Sequence, residues 1–341
     1  MAYKVTLQPS GHSFAAAEGQ TLLQSALDAG LTIPYGCRNG ACGACKSHLL
    51  AGEVDHGAVQ EHVLPAADRA AGMVLTCCAK PLSDLTLEVR EVGSQTDIPV
   101  KTMPCRVEKL VKVAEDVMIM TLKLPANERL QFLAGQYIEF LLKDGKRRAF
   151  SIANAPHDDD FIELHLRLIP GGTFTEFVFS AMREKDILRF EGPLGSFHLH
   201  EDSTRPMVLV AGGTGFAPIK GLVEHAIHSR ITRPMAIYWG AKNRNELYLP
   251  DLPRRWAAEH AHISYVPVLS EPLAEDHWQG RTGFVHEAVL ADFPDLSGHQ
   301  AYVCGAPVMV EAALRDFTAR GLPREEFFAD IFSYAAKAQA K

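Results

Sequence analysis

Cys37, Cys42 and Cys45 stand within one short stretch, with Gly36, Gly40 and Gly43 between or beside them. The pair Cys77-Cys78 follows Cys45 after 31 intervening residues. A C-x4-C-x2-C run with a distant fourth cysteine has the ligand spacing of a two-iron, two-sulfur core. Glycines let a short loop wrap such a core, and the loop's N–H groups can point at the sulfurs and stabilise its negative charge. Read as an extended run, Leu75-Thr76-Cys77-Cys78 sends neighbouring side chains to opposite faces, so one of the two thiols faces the core. The alternative, a structural zinc site, favours paired C-x2–4-C knuckles. An iron–sulfur core moves one electron at a time.

A second chemical segment is Gly212-Gly213-Thr214-Gly215-Phe216-Ala217-Pro218. It follows the apolar run Met207–Ala211 and opens a helical stretch. Glycines allow close approach of a pyrophosphate, and a helix N-terminus supplies N–H groups and positive potential. Pro218 suits a first helical turn, where its missing N–H costs nothing. A strand, a glycine turn and a helix in that order predict a dinucleotide or phosphate site.

The elements around these segments fall into three patterns. Residues 3–8 and 12–17 predict two strands about a Pro9-Ser10-Gly11 turn, and Thr21–Ala29 a short amphipathic helix stopped by Gly30. Strands follow near Lys46–Leu50 and Leu85–Val89. Strands around one helix with a cysteine loop at the edge predict a β-grasp domain. The polar Gly93–Pro99 stretch reads as a linker. From Thr102 to His200 strands dominate (Cys105–Val113, Val117–Leu124, Tyr137–Leu142, Phe161–Leu168), interrupted by a helix near Thr175–Met182. That pattern predicts an antiparallel β-barrel. From Pro206 strand and helix alternate: strands Met207–Ala211, Met235–Trp239, His262–Val268 and Gln300–Cys304, helices Pro218–Ser229 and Pro307–Ala319. That rhythm predicts an α/β doubly wound parallel sheet.

The 341-residue chain is long enough for two or three domains, and its 47% hydrophobic and 22% charged residues suit full cores. A net charge of −7 argues against nucleic-acid binding. No apolar run approaches a membrane span, and Met1–Thr6 has no apolar signal core. Cys78, Cys105 and Cys304 suggest no disulfide framework. The expectation is a cytoplasmic protein that binds neither nucleic acid nor membrane.

Further motifs carry a family resemblance. Arg148-Ala149-Phe150-Ser151 resembles the R-x-[YF]-S flavin motif of the ferredoxin–NADP reductase superfamily, and Gly171-Gly172-Thr173-Phe174-Thr175 its pyrophosphate-binding flavin motif. Gly213–Pro218 and Cys304-Gly305-Ala306-Pro307 resemble its nicotinamide motifs, in family order and spacing. With a plant-type ferredoxin segment in front, nearly the whole chain resembles the three-module reductases of bacterial oxygenases, such as phenol hydroxylase and Rieske dioxygenase reductases. It also resembles CDP-6-deoxy-Δ3,4-glucoseen reductases.

The resemblance implies a domain plan and a set of roles. Residues 1–92 are the [2Fe-2S] ferredoxin domain, 93–101 a linker, 102–203 the FAD-binding barrel and 204–341 the NAD(P)H-binding α/β domain. Cys37, Cys42, Cys45 and Cys77 ligate the cluster. Arg148 pairs with the flavin pyrophosphate, where a guanidinium fork suits phosphate. Phe150 packs along the flavin, Ser151 bonds near its N5, and Gly172, Thr173 and Thr175 meet its diphosphate, which favours FAD. Residues His165 to Arg167 line its ribityl chain. Gly213, Thr214, Gly215, Pro218, Gly305 and Pro307 hold the nicotinamide dinucleotide, with Cys304 near its reacting carbon. Asp330 sits near the reacting ring and Phe332 against the flavin, although the chain continues nine residues past Phe332. Ser151, Cys304 and Asp330 form the catalytic set.

The implied reaction passes electrons from a reduced nicotinamide to FAD, then singly to [2Fe-2S] and on to a redox partner, an oxygenase component acting on an aromatic substrate. A deoxysugar dehydratase as acceptor is the alternative. NADH is expected, with NADPH possible: Lys242 and Arg244 could anchor a 2′-phosphate, whereas Glu246 could meet a ribose hydroxyl.

Overall fold

The computed structural model describes residues 2–89, 91 and 98–332. The chain divides into two compact units. One holds Met1–Pro99, Gly195–Phe197 and Ile331–Lys341; the other holds Val100–Leu194 and His198–Asp330.

In the first unit, β1 (Ala2–Gln8), β2 (Ser13–Ala17), β3 (Lys46–Ala51), β5 (Met73–Leu75) and β7 (Leu85–Glu88) form a five-stranded sheet in the order β2-β1-β7-β3-β5. β1 and β7 run parallel and the other pairs antiparallel. β4 (Val54–Asp55) and β6 (Lys80–Pro81) make a small second sheet. The helix α1 (Leu22–Asp28) begins where the Thr21 side chain accepts the Gln24 N–H at 3.3 Å, a capping bond that satisfies an orphan donor. Its Leu22, Leu23 and Ala26 join Val5, Leu7, Leu85 and Leu87 in one core, so the sheet buries its alternate positions against the helix. The β-grasp expectation is met. A short helix α2 (Ala66–Ala70) precedes β5 and has no counterpart in the sequence reading.

The extended reading of Leu75–Cys78 is not met. Residues 76–78 form a turn, in which the Cys78 and Ala79 N–H groups both donate to the Leu75 carbonyl, at 2.9 and 2.8 Å. Alternation of faces therefore does not separate Cys77 from Cys78. Of the Gly93–Pro99 linker, residues 93–97 lie outside the described residues.

In the second unit, β8 (Lys101–Ala114), β9 (Val117–Lys123), β10 (Tyr137–Leu141), β11 (Arg147–Ser151), β12 (Phe161–Arg167) and β13 (Ile187–Leu194) pair antiparallel in the order β11-β10-β13-β8-β9-β12. An antiparallel bridge between Ile152 and Leu164 joins the two edges and closes the barrel. Met120, Leu122, Ile138, Phe140, Leu164 and Phe190 fill it. The helix α3 (Thr173–Ser180) lies between β12 and β13 and starts two residues before the predicted one.

β14 (Met207–Gly212), β15 (Met235–Ala241), β16 (Ile263–Leu269), β17 (Arg281–Thr282), β18 (Gln300–Gly305) and β19 (Phe327–Ile331) form the other sheet, in the order β17-β16-β15-β14-β18-β19. The pairs from β14 to β17, and β14 with β18, are parallel. Helices α4 (Phe216–His228), α5 (Asp251–Glu259), α6 (Val285–Asp292) and α7 (Pro307–Ala319) alternate with the strands. Residues Met207–Ala211 and all of β18 are buried, as expected for parallel strands covered on both faces. The chain leaves β14 toward β15 on one side and returns to β18 on the other. The carboxyl ends of β14 and β18 thus form the topological switch point, where open α/β sheets bind ligands.

Candidate active site and cluster site

The loop between α1 and β3 gathers the first three cysteines. Gly40 takes φ +76°, a left-handed conformation that L side chains rarely adopt. The Ala41 N–H donates to Cys37 Sγ at 3.3 Å, and the Cys37 N–H to Cys42 Sγ at 3.4 Å. The turn after β5 brings Cys77 Sγ to 3.2 Å from Cys45 Sγ, and Cys37 makes side-chain hydrogen bonds with both Cys42 and Cys77. Cys42, Cys45 and Cys77 are buried. Among the described residues no group of three or more His, Cys, Asp or Glu is placed to hold a single metal ion. The all-thiol donor set, with loop N–H groups already directed at two sulfurs, fits an iron–sulfur core.

The flavin motif lies on β11. Arg148 and Phe150 are half-buried and Ser151 is buried. Phe150 packs 5.6 Å from Phe174 and 5.9 Å from Phe140, so its ring is continuous with the barrel core. The Arg148 guanidinium donates to the Arg147 carbonyl at 2.8 Å. Gly172 caps α3, whose first-turn N–H groups have no intrahelical acceptor and face the space before the helix. The Thr175 hydroxyl accepts the Ile169 N–H and donates to the Gly172 carbonyl, both at 3.1 Å. Thr175 thus closes the loop on itself, and the backbone N–H groups of Thr173 and Phe174 are what the loop offers an anion. These donors, with Arg148 and Phe150, fit a flavin carrying a diphosphate.

The nicotinamide motif sits at the switch point. Gly213–Gly215 makes one tight helical turn and α4 starts at Phe216, so Pro218 lies in its first turn. Gly215 packs on β18: a Cβ there would come within 2.2 Å of the Cys304 carbonyl oxygen. The Thr214 side chain is buried in the same turn. The Trp239 Nε1–H donates to the Gly213 carbonyl at 2.9 Å, while its ring stacks on Phe216 with centroids 3.9 Å apart. At the end of β18, Gly305 takes φ +153° and lies within contact distance of Gly212, and Pro307 starts α7. The two glycine-bearing ends therefore meet, and the Met309 side chain packs over both Gly212 and Gly305.

Three distant residues converge beside these ends. The Ser151 hydroxyl, at the end of β11, donates to Asp330 Oδ2 in β19 at 2.5 Å. The fully buried Cys304 sulfur accepts a hydrogen bond from the Asp330 backbone N–H. Burial pushes the Asp330 carboxyl up to about 6, against the Ser151 hydrogen bond that holds it down. Burial also pushes the Cys304 thiol well up, with the Asp330 charge adding to it, so Cys304 stays protonated near neutrality. A buried thiol without a base to ionise it is a packing and positioning group, not a nucleophile. Ser151 commits its one proton to Asp330, so Oγ presents a lone pair to whatever lies at the barrel mouth. Phe332 follows β19 and is half-buried.

Arg167, His165 and Glu246 were named from the sequence, but the partners they take were not. Arg167, at the end of β12, lies 3.1 Å from where a Gly213 Cβ would stand. Its guanidinium reaches Glu246 Oε2 at 3.4 Å and Asp116 Oδ2 at 3.3 Å. His165 is turned inward, bonding Tyr248 Oη at 2.8 Å and Glu163 Oε1 at 2.9 Å, and burial holds its imidazole below the usual range. Glu163 and Glu224 flank the buried Lys220 of α4, at 3.2 and 2.8 Å. The Arg167–Glu246, His165–Tyr248 and Glu163–Lys220 pairings join residues far apart in sequence, whereas Glu163–His165 and the i,i+4 pair Lys220–Glu224 are local.

Three family models match in succession: a 2Fe-2S iron-sulfur cluster binding domain over residues 5–82, an oxidoreductase FAD-binding domain over 104–199 and an oxidoreductase NAD-binding domain over 209–315. The chain belongs to the iron–sulfur flavoprotein reductases that combine these three domains, and it is an NAD(P)H-dependent oxidoreductase using [2Fe-2S], FAD and a nicotinamide dinucleotide. It is 43% identical to the CDP-6-deoxy-L-threo-D-glycero-4-hexulose-3-dehydrase reductase of Yersinia pseudotuberculosis, over 97% of this chain and 99% of that one. It is 36% identical to the phenol 2-monooxygenase reductase component of Pseudomonas sp. strain CF600, over 98% of this chain and 96% of that one. Among solved structures, a cytochrome P450 reductase of Amycolatopsis matches with a TM-score of 0.79 and 35% identity, over 97% and 99% of the two chains.

Proposed function

We propose that this chain is the reductase of a two-protein system and delivers single electrons to an oxygenase component that acts on an aromatic substrate. The convergence of Ser151, Asp330 and Cys304 beside the glycine ends of β14 and β18 carries the reading: barrel and sheet side chains meet there, which supports electron entry from a nicotinamide to a flavin at that point. When bound, FAD takes two electrons as hydride and gives them up one at a time, which matches the nicotinamide to the cluster. The chain's own residues do the positioning. The Gly213–Gly215 turn and Gly305 orient the dinucleotide, with Thr214, Pro218 and Pro307 shaping the two helix starts. Cys304 fixes the depth at which a ring can rest. Ser151 and Asp330 hold a polar, proton-sharing edge beside it, and Arg148, Phe150 and the α3 N-terminus, where Gly172, Thr173 and Thr175 form the loop, hold the flavin. Phe332 covers it. Cys37, Cys42, Cys45 and Cys77 ligate the cluster; Cys77 is preferred because its sulfur lies among the other three, whereas Cys78 reaches Cys77 and Gly40.

The domain plan follows as 1–92, a linker at 93–101, 102–203 and 204–341. NADH is the preferred donor. Arg244, one candidate anchor for a 2′-phosphate, is tied back to the Asp276 carbonyl at 3.2 Å, and the buried Asp276 carboxylate caps the Arg244 N–H. No helix among the described residues is long and apolar enough to cross a membrane, which supports a cytoplasmic reading.

A deoxysugar dehydratase is the second reading of the acceptor, favoured by the higher identity to the dehydrase reductase, 43% against 36%. Reconstitution decides between them. The purified chain with NADH is combined with an aromatic-ring oxygenase component or with a sugar dehydratase, and product is measured. Turnover with the dehydratase alone contradicts the oxygenase reading. Turnover with neither, alongside normal cytochrome c reduction, removes both acceptors and leaves the reductase activity standing.

A further inference from the structure

Cys78 is one thiol more than the four that a two-iron core takes. The turn at residues 76–78 keeps it next to them. Its Sγ lies 3.7 Å from Cys77 Sγ, and it fills the space over Gly40 of the cysteine loop, where a Cβ would come within 2.8 Å of the sulfur. Gly40 is thus small where Cys78 needs room. Cys77 sits deeper, against Cys45 and Cys37.

Two thiols at this separation can share a hydrogen bond in either direction. Iron ligation settles the direction, because a ligating cysteine has lost its proton. With Cys77 on iron, only Cys78 has an S–H to give. We propose that Cys78 is a positioning residue for the cluster: its S–H donates to the Cys77 sulfur and raises the cluster's reduction potential. The proposal rests on the ligand assignment above. The reduced core carries one more negative charge than the oxidised core, so a donor on a ligand sulfur favours reduction. The higher potential makes the cluster a better sink for single electrons from the flavin.

A role in filling space alone has the opposite sign. Truncating a filler beside the cluster admits water, which stabilises the more negative state and raises the potential. Loss of a donor lowers it.

The test uses the full-length protein carrying its FAD and cluster, as wild type and as Cys78→Ala, Cys78→Val and Cys78→Ser. Each is titrated anaerobically against a reference dye, following cluster absorbance and the electron paramagnetic resonance of the reduced cluster. The equilibrium constant for cluster reduction should fall about threefold to tenfold in the Ala and Val variants, the worth of one modest hydrogen bond. Cys78→Ser, which keeps a donor, should stay within about twofold of wild type. An unchanged or raised constant in the donor-free variants overturns the proposal. So does loss of the cluster in both, because a tuning bond is not required for assembly. A wild-type chain without iron and sulfide would instead remove the cluster reading itself.

Discussion

Removing the Ser151 hydroxyl should move the ionisation of Asp330, and the structure sets both sign and size. Burial raises this carboxyl to about 6, and the 2.5 Å hydrogen bond from Ser151 opposes that rise. A hydrogen bond to a charged acceptor is worth about 1.5–3 kcal/mol. At about 1.4 kcal/mol per pH unit, its loss moves the group up by roughly one to two units. Ser151→Ala should therefore place Asp330 at roughly 7–8. Unfolded, the same group titrates near ~3.9. Between about pH 4 and 6 the wild-type folded chain keeps a proton that the unfolded chain has lost, so its stability is full below about 4 and declines as pH rises through about 6. In Ser151→Ala the decline continues to roughly pH 8, and the variant's added loss is larger at pH 8 than at pH 5 by about 1.5–3 kcal/mol. The carboxylic C=O infrared band, assigned by its absence in Asp330→Asn, reports the ionisation in the intact chain. Denaturant midpoints at pH 5 and pH 8 report the stability. A band that titrates at the same pH in Ser151→Ala, or at a lower one, refutes the coupling.

Cys304→Ala should keep flavin and cluster but slow flavin reduction by NADH about tenfold, with a smaller change in dinucleotide affinity, read by stopped-flow at the flavin band. Equal rates would return Cys304 to the role of a core residue. Gly215→Ala drives a Cβ to 2.2 Å from the Cys304 carbonyl oxygen, which is backbone and yields little. It should cost about 1–3 kcal/mol, lowering the thermal midpoint, and weaken dinucleotide binding. Cys77→Ser should lose iron and sulfide while Cys78→Ser keeps both, as visible absorption and metal analysis would show. Arg244→Ala should leave the ratio of kcat/KM for NADH and NADPH unchanged, measured with ferricyanide as acceptor, because its guanidinium is already engaged by the Asp276 backbone carbonyl.

Much of this architecture was legible because its signals are local. Thr21 caps α1, the apolar run at Met207–Ala211 becomes a buried parallel strand, and Pro307 opens α7 where predicted. The cysteine loop could be read because three cysteines and its glycines lie within one turn-rich stretch. What failed was context. Leu75–Cys78 has strand-like composition, but two N–H groups donating to one carbonyl make it a turn. The charge-rich strand β11 and the edge strand β19 gave no clear alternation, yet they carry Ser151 and Asp330. Thr175 fits a phosphate-binding pattern, but its hydroxyl closes its own loop. Arg167, Glu246, His165 and Tyr248 meet only through the packing of the barrel against α4 and the β15 loop. Such pairings are set by tertiary contact, which one sequence does not display.

The central claim is an ordered electron route from nicotinamide to FAD to the [2Fe-2S] cluster, and it is tested most directly by anaerobic stopped-flow mixing of the full chain with NADH, following flavin and cluster absorbance separately. The account predicts loss of the flavin band first, then cluster bleaching at a rate set by the flavin. In Cys77→Ser the flavin phase should persist while the cluster phase and cytochrome c reduction vanish. Cluster bleaching in protein stripped of FAD, or a cluster that stays oxidised while the flavin is reduced and an acceptor still turns over, would contradict it.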